Sequence, residues 1–343
     1  MINTHQLRVA IIGPIIIDGK SSGGEGEKLY QMLKESGYTV YKRSGYRNKL
    51  LRLLDTIYFL IIHRKQYDIV VSLVFSGRAI LLEYLVFLLT KILNKKVIGV
   101  LHGGALNEFY KKYPNKVEKL YNQCIEICTP SKFLQQYFTA RGWPVLYTPN
   151  FIDNNKFKPL WLNKPEYKLL WVRAFHDIYN PEMAIRCVAN LKKSNKAITL
   201  TMVGPDLGKL NNCIELAEKL DVKDNIQFVG FVPNEEIQKF YHSHTVFITT
   251  TSYESFGVAI VEAASCGIPM VSTRVGEIPL MWAEDEEMLM ADLDNQKEFD
   301  LKVSRLLDDS LLRDKLSKNA HRKAETYTWE RVKMTWAQLL TRN

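Results

Sequence analysis

Cysteine is scarce in this 343-residue chain, and the spacing of its five cysteines argues against a disulfide scaffold. The closest pair, Cys124 and Cys128, lacks the Cys-x-x-Cys spacing and the partner histidines of a zinc site. The sequence therefore predicts reduced structural thiols, as in a cytoplasmic protein, and no bound metal or cofactor.

Long uncharged apolar runs are also missing. The longest, 79–93, contains Glu83 and Lys91 and is short for a bilayer span, so it predicts a buried helix. The polar segment 1–8 leads directly into an apolar strand, which predicts no signal peptide. No nucleic-acid-binding module is present either, so nucleic acid is not an expected partner.

The composition is that of an ordinary globular enzyme, with 46% hydrophobic and 24% charged residues. A chain of 343 residues is long for one core, so two domains are expected. The net charge of +9 favours an acidic partner, such as a phosphorylated ligand or an anionic membrane surface, without identifying one.

Apolar segments alternate with helical patterns along both halves of the chain, which predicts an α/β protein with doubly wound parallel sheets. A turn-rich segment at 144–159 separates the halves and is interpreted as a linker. Parallel sheets of this kind bind ligands at the carboxyl ends of their strands. The predicted strands are 7–17, 39–41, 69–73, 97–101, 125–128, 168–173, 198–204, 226–230, 244–250 and 270–273.

The loop after the first strand, 18–26, is rich in glycine. It matches neither the phosphate-binding loop with its Gly-Lys-Ser/Thr ending nor the Gly-x-Gly-x-x-Gly dinucleotide fingerprint. An NAD-dependent dehydrogenase would share the α/β class but is disfavoured by this loop.

The segment 249–262 combines two carboxylates, Glu254 and Glu262, with a Ser-Phe-Gly turn that leads into an apolar helix. Gly257 allows the backbone to come close to a ligand, and the free N–H groups of a helix start favour an anion. A carboxylate can accept hydrogen bonds from a vicinal diol such as ribose. Together these features favour a nucleotide diphosphate as the ligand.

This segment resembles the E-x7-E donor motif of the retaining family-four glycosyltransferases. The resemblance rests on Tyr253-Glu254-Ser255-Phe256-Gly257, Glu262-Ala263, Cys266-Gly267-Ile268-Pro269 and Val275-Gly276-Glu277-Ile278-Pro279. It implies a GT-B fold, in which two Rossmann-like domains face a cleft. The expected domains are 1–155 and 156–327, with a C-terminal helix at 328–343 that packs back on the first.

The resemblance also implies roles for individual residues. Glu254 would hold the hydroxyls of the donor sugar, His102 would lie beside that sugar, and Arg173 would bind the donor phosphates. Glu262 would bind the ribose. The further donor-binding residues implied are Lys20, Gly23, Gly24, Gly204, Ser255, Phe256, Gly257 and Val258.

The chain departs from the family pattern after Arg173. The family has a lysine five residues further on, whereas this chain has Ile178. Half of the usual cationic clamp is therefore missing, and His176, Tyr179 or Lys20 could substitute for it. Smaller departures are Phe151 and Glu277, each in place of a glycine.

The basic segment 41–54, in which leucines and tyrosines are interleaved, leaves two interpretations open. Its charges suit an anionic membrane surface or a phosphorylated lipid acceptor. It is equally well interpreted as a solvated helix face over a buried stripe of leucines.

The expected activity is metal-independent transfer of a sugar from a nucleotide-diphosphate sugar to an acceptor hydroxyl, with retention of configuration. The resemblance further implies a saccharide or lipid-linked saccharide acceptor, a role in polysaccharide or glycoconjugate biosynthesis and a cytoplasmic location that includes the inner face of the membrane. Two alternatives stay open: an inverting transferase or epimerase with His102 as the base, and a nucleotide-sugar-binding protein without catalysis.

Overall fold

The computed structural model describes residues 7–13, 15, 24–43, 45–46, 48–75, 80–102, 106–153, 155–161, 167–193 and 197–341. The chain divides into two compact units, one formed by 1–150 with 330–343 and the other by 151–329.

The described part of the first unit contains a parallel sheet in the order β2-β1-β3-β4-β5-β6. Its strands are β1 Arg8–Ile12, β2 Thr39–Arg43, β3 Ile69–Val74, β4 Lys96–Leu101, β5 Glu126–Thr129 and β6 Val145–Tyr147. Its helices up to the boundary are α1 Gly24–Glu35, α2 Lys49–Ile62, α3 Ile80–Ile92, α4 Leu106–Lys112, α5 Pro114–Tyr121 and α6 Lys132–Thr139. The central strand β3 is buried along its whole length, as expected when helices cover both faces of a parallel sheet.

The second unit contains a parallel sheet in the order β12-β11-β10-β7-β8-β9. Its strands are β7 Lys168–Val172, β8 Thr199–Val203, β9 Ile226–Gly230, β10 Val246–Thr249, β11 Met270–Thr273 and β12 Leu289–Ala291. Its helices are α7 Pro181–Lys192, α8 Leu210–Lys219, α9 Ile237–Ser243, α10 Val258–Ser265, α11 Ile278–Met281, α12 Gln296–Asp308 and α13 Ser310–Ala324. The strand order reverses between β7 and β10, and ligands of doubly wound sheets bind at such a switch point.

The predicted α/β class with two doubly wound parallel sheets is confirmed. One local interpretation was incomplete and another was wrong. The segment 144–159 is not only a linker, because Val145–Tyr147 pairs with β5 as a short edge strand. Within the run 79–93, Ile80–Ile92 forms a helix, but Leu88 and Ile92 are exposed, so the described side chains of that helix are not all buried.

The last helix, α14, runs from Trp329 to Thr341. Its apolar side chains Val332, Trp336, Leu339 and Leu340 are buried, and residues 330–343 belong to the first unit. All five cysteines carry free thiols. Among the described residues, no helix has the length and apolar character needed to cross a membrane.

Candidate functional site

Four loops of the second unit converge at the carboxyl edge of its sheet. Arg173 follows β7 and Gly204 follows β8, while the loop 250–257 follows β10 and Gly276 comes shortly after β11. Because β7 and β10 flank the switch point, Arg173 and the loop with Glu254 lie where a ligand is expected.

Arg173 and Glu254 form an ion pair, with 2.5 Å between Nη2 and Oε2. Their side chains are only 11% and 13% exposed, so this pair is largely shielded from solvent. Within the described residues, the buried Nε of Arg173 has no hydrogen-bond partner. A buried donor without a partner is uncommon in proteins, so this N–H group leaves hydrogen-bonding capacity unused at the site.

Glu254 is held in place from several directions. Its Oε1 accepts a hydrogen bond from the backbone N–H of Ser255 at 3.1 Å. Its own carbonyl oxygen accepts one from the N–H of Glu277 at 2.9 Å. Since the backbone and side chain of Glu254 are both fixed, the carboxylate is oriented before any ligand binds.

Two glycines let the backbone come close to this pair. A Cβ on Gly204, whose φ is +151°, would lie 1.7 Å from the carbonyl oxygen of Arg173. A Cβ on Gly276, whose φ is +53°, would lie 2.1 Å from the carbonyl oxygen of Glu254. No side chain fits at either position, so both glycines are required by the packing around the two charged residues.

The threonines at the end of β10 anchor its loop to the short 3-10 turn Asp177–Tyr179. Thr250 Oγ1 accepts a hydrogen bond from Trp171 Nε1 at 3.1 Å and donates one to the carbonyl of Tyr179 at 2.9 Å. Thr251 Oγ1 donates to the carbonyl of Ile178 at 3.0 Å. No sequence motif singled out these residues, although successive threonines at the end of a strand are a signal for such side-chain-to-backbone bonds.

Helix α10 begins after Gly257, which has a φ of +83°. Glu262 lies inside this helix and is 7% exposed. Its Oε2 accepts a hydrogen bond from the Tyr241 hydroxyl at 3.2 Å. The carboxylate is thus already oriented by Tyr241, a residue of α9 that no sequence motif singled out.

The remaining predicted residues of this loop have different surroundings. The Phe256 ring is 2% exposed and packs edge-to-face on Tyr327, so only its backbone is available to a ligand. Ser255 and Val258 are half-buried on either side of the turn.

Of the candidates to replace the missing lysine, Lys20 lies outside the described residues, as does the predicted Gly23. His176 Nδ1 accepts a hydrogen bond from the N–H of Ile178, which caps the 3-10 turn. The Tyr179 ring lies 5.6 Å from the guanidinium carbon of Arg173. These two residues therefore support the loop and the arginine.

In the first unit, His102 follows β4 at the carboxyl edge of the sheet, and Gly24 begins α1. The His102 ring is 8% exposed and stacks on Phe75 with 5.2 Å between ring centroids. Burial lowers the pKa of His102 to about 4, while the charge of Glu25 raises it. The imidazole is therefore neutral at neutral pH and can donate or accept a hydrogen bond.

Glu83 is buried beneath this edge, where its Oε1 accepts a hydrogen bond from the N–H of Phe75 at 2.6 Å. Burial raises the pKa of Glu83 to about 8, while the bond from Phe75 lowers it. The nearby Tyr121 hydroxyl is also buried, and its pKa is raised well above 10.0, first by burial and then by Glu83.

The raised pKa predicts a pH-dependent stability. Because the ordinary pKa of Glu83 is 4.5, the folded protein binds more protons than the unfolded chain up to about pH 8. The contribution of Glu83 to the free energy of unfolding therefore falls as the pH rises through this window. Glu83→Gln keeps an acceptor for Phe75 but removes the titration. Its Tm relative to wild type should rise between about pH 5 and pH 9, and a constant difference would show that Glu83 does not titrate there.

A cavity of about 400 Å³ lies elsewhere in the second unit. It is lined by Thr245 and Pro269, which precede β10 and β11, so it lies at the amino edge of the sheet. None of the predicted site residues lines it. The described residues also contain no group of three His, Cys, Asp or Glu side chains arranged to hold a metal ion.

The fold and this site define a class: α/β proteins of two Rossmann-like units with an oriented cation–carboxylate pair at the switch point of one sheet. The sequence profile of the family described as "Glycosyl transferases group 1" matches residues 152–323. This chain belongs to that family, and its fold is GT-B.

Similar proteins support this assignment. D-inositol 3-phosphate glycosyltransferase from Salinispora arenicola is 28% identical over 199 residues, which cover 54% of this chain and 44% of that protein. The Corynebacterium glutamicum protein of the same name is 31% identical over 114 residues, covering 33% and 27% of the two chains. The match thus spans less than half the length of these relatives.

Solved structures show the same fold over nearly the whole chain. Sucrose-phosphate synthase from Thermosynechococcus elongatus has a TM-score of 0.77 and 17% identity, covering 97% of this chain and 98% of that one. The Anabaena protein HepE in complex with UDP and glucose has a TM-score of 0.79 and 14% identity, covering 98% and 100%.

Proposed function

We propose that this protein transfers a sugar from a nucleotide-diphosphate sugar to an acceptor hydroxyl, with retention of configuration at the transferred sugar. The observation that carries the proposal is the shielded Arg173–Glu254 pair at the switch point, in which Arg173 Nε has no partner among the described residues. Membership of the group 1 family supports the same activity.

The chemical difficulty of such a transfer is the negative charge that develops on the leaving diphosphate. The Arg173 guanidinium is opposite in charge to the phosphates and can hydrogen-bond their oxygens through two N–H groups. The start of α10 adds N–H groups with partial positive charge. These groups provide the stabilisation without requiring a metal ion.

The carboxylates hold the rest of the donor. Glu262 is assigned to the ribose, with Tyr241 orienting its carboxylate. Glu254 is assigned to the sugar hydroxyls, and its pairing with Arg173 couples sugar binding to phosphate binding. His102 is assigned to the donor sugar as a neutral hydrogen-bonding group.

The state of His102 favours this role over that of a general base. A group with a pKa of about 4 is a weak base at neutral pH. An inverting transferase or an epimerase would need a base whose pKa lies closer to the working pH. NMR assignment of the product anomer separates these activities: the donor's configuration at the anomeric carbon supports our proposal, and the opposite configuration contradicts it.

For the donor we favour a uridine diphosphate sugar, since the similar HepE structure contains UDP and glucose. For the acceptor we propose a saccharide or a lipid-linked saccharide in polysaccharide or glycoconjugate biosynthesis. The five free thiols suit a reducing compartment, so we propose that the enzyme acts in the cytoplasm.

The donor site can be tested by calorimetric titration with UDP, GDP and ADP at fixed salt and without added metal. We expect one nucleotide to bind preferentially, and Glu262→Gln to weaken it roughly 10- to 100-fold, because a hydrogen bond to a charged group is lost. Glu215→Gln is the matched control, since Glu215 lies exposed on α8 of the same unit.

Equal affinities of both variants for the preferred nucleotide would contradict the role of Glu262. Binding of donor without turnover of any sugar in a donor panel would instead favour a nucleotide-sugar-binding protein. Absence of nucleotide binding by the wild type would overturn the proposed function.

A further inference from the structure

Helix α2 is apolar on two opposite faces. Thr56, Phe59 and Leu60 are buried on the side that faces the core. The other side carries six apolar residues that are between 37% and 63% exposed. These residues, which we call the α2 outer face, are Leu50, Leu51, Leu54, Tyr58, Ile61 and Ile62.

The spacing of the α2 outer face follows the helix period. Leu50, Leu54 and Ile61 fall within about 40° of one another at 3.6 residues per turn, and Tyr58 and Ile62 extend the same stripe. A helix that is hydrophobic all round normally has both faces covered. The helix start is well defined, since Asn48 Oδ1 accepts hydrogen bonds from the N–H groups of Leu50 and Leu51.

Helix α3 also exposes apolar side chains. The two helices pack against each other, and Leu88 and Ile92 of α3 are 37% and 68% exposed. Several large apolar side chains exposed on neighbouring helices indicate a binding surface. The leucines of 49–54 are therefore not the buried stripe that a solvated helix would have.

The charges around this surface are mainly positive. The basic residues of α2, the following turn and the end of α3 make no ion pair with any described residue. The single exposed or half-buried acid on these elements, Asp55, lies 3.9 Å from Arg43 and is thereby compensated. The unpaired basic residues are Lys49, Arg52, Arg64, Lys65 and Lys91.

We propose that the α2 outer face docks on an anionic lipid surface. Basic residues flank the ends of α2, with Lys49 at its start and Arg64 and Lys65 just after its last turn. An exposed apolar helix face accompanied by cations is the pattern of a helix lying in the membrane interface, where the side chains enter the acyl boundary and the cations meet anionic headgroups. At 14 residues, α2 is about 21 Å long, which suits lying in the interface. The positive charge disfavours a second copy of the chain, because two such faces would repel each other.

Co-sedimentation of the full chain with vesicles tests this proposal. Vesicles of equal parts phosphatidylglycerol and phosphatidylcholine are compared with pure phosphatidylcholine, each at low and high salt. We expect the protein to pellet with the anionic vesicles, and high salt to weaken this binding. The double variant Leu54→Glu/Ile62→Glu should reduce partitioning by about tenfold or more, since it puts two charges at the acyl boundary.

Two control variants separate the contributions. Leu311→Glu changes an 82% exposed leucine on α13 of the second unit, and its vesicle binding should equal that of wild type. Arg64→Gln/Lys65→Gln should weaken binding to anionic vesicles only. Because the substituted side chains are exposed, near-UV circular dichroism and nucleotide binding should be unchanged in all three variants, so vesicle binding is tested independently of the transferase activity.

The proposal is overturned if wild-type protein stays in the supernatant with anionic vesicles, or if Leu54→Glu/Ile62→Glu pellets as wild type does. It is also overturned if light scattering shows a dimer that this double variant dissociates while no vesicles are bound. In that case the α2 outer face is an interface between copies of the chain.

Discussion

Arg173→Ala is expected to lower kcat/KM for sugar transfer by a factor of about 10² to 10³, corresponding to roughly 3 to 4 kcal/mol of lost transition-state stabilisation. The Arg173 guanidinium places a positive charge at the switch point, beside Glu254. Its Nε is buried without a partner among the described residues. Most of the loss should appear in kcat, because charge on the leaving diphosphate develops only in the transition state.

A double-mutant cycle tests whether Arg173 and Glu254 act as a pair. Glu254→Ala should also lower kcat/KM, but the double variant should lose less than the sum of both effects, because each single change leaves the other side chain misplaced. Steady-state assays of the wild type and the three variants complete this cycle. Arg173→Lys should recover only part of the activity, since lysine keeps the charge but not the planar fork.

Arg274 provides a matched control on the same sheet edge. It follows β11, but its side chain pairs with Glu284 and Asp292 instead of Glu254. Arg274→Ala should therefore retain activity to within about threefold, because solvent-exposed ion pairs contribute little free energy. If it lost as much activity as Arg173→Ala, the effect would reflect charge at this edge in general. Full activity of Arg173→Ala would remove Arg173 from the proposed site.

The sequence was sufficient for the class of fold, because runs such as 69–73 and 97–101 have the nearly continuous apolar character of buried parallel strands. It was also sufficient for the place of Glu254 and Arg173, since each directly follows such a strand or its turn. These are local signals, carried by periodicity and by glycine within a few residues of the element that they define.

Contacts between distant segments could not be predicted in this way. Arg173 and Glu254 were assigned to separate parts of a ligand, whereas the structure pairs them across 81 positions of the chain. Tyr241 reaches Glu262 from another helix, and no motif surrounds it. The three-residue strand β6 was missed because its pairing with β5, and not its own composition, makes it a strand.

The same limit applied to α2. Its interleaved leucines indicate a helix, but which leucines are buried depends on the face that the core covers. The structure buries Phe59 and Leu60 and leaves Leu50 and Leu54 exposed. Amphipathic patterning cannot distinguish the two faces of a helix that is apolar on both.

Gly204→Ala is the second change with a large expected effect. Its Cβ would lie 1.7 Å from the carbonyl oxygen of Arg173, so the backbone at the end of β7 or β8 must shift. We expect the free energy of unfolding to fall by about 3 kcal/mol, as for overpacked interiors, and kcat/KM to fall with it because Arg173 is displaced. Thermal unfolding and steady-state kinetics measure the two effects.

Gly208→Ala separates overlap from backbone strain. Gly208 lies in the same loop after β8 and also has a positive φ, +101°, but a Cβ there would meet no atom within 4 Å. Gly208→Ala should lower the free energy of unfolding by only about 1 to 2 kcal/mol, the cost of an L-residue in this backbone conformation, and leave kcat/KM unchanged. If Gly204→Ala behaved in the same way, the close approach of Gly204 to Arg173 would not be what positions the arginine. A selective loss of activity in Gly204→Ala would show that the glycine acts through the placement of Arg173 at the switch point.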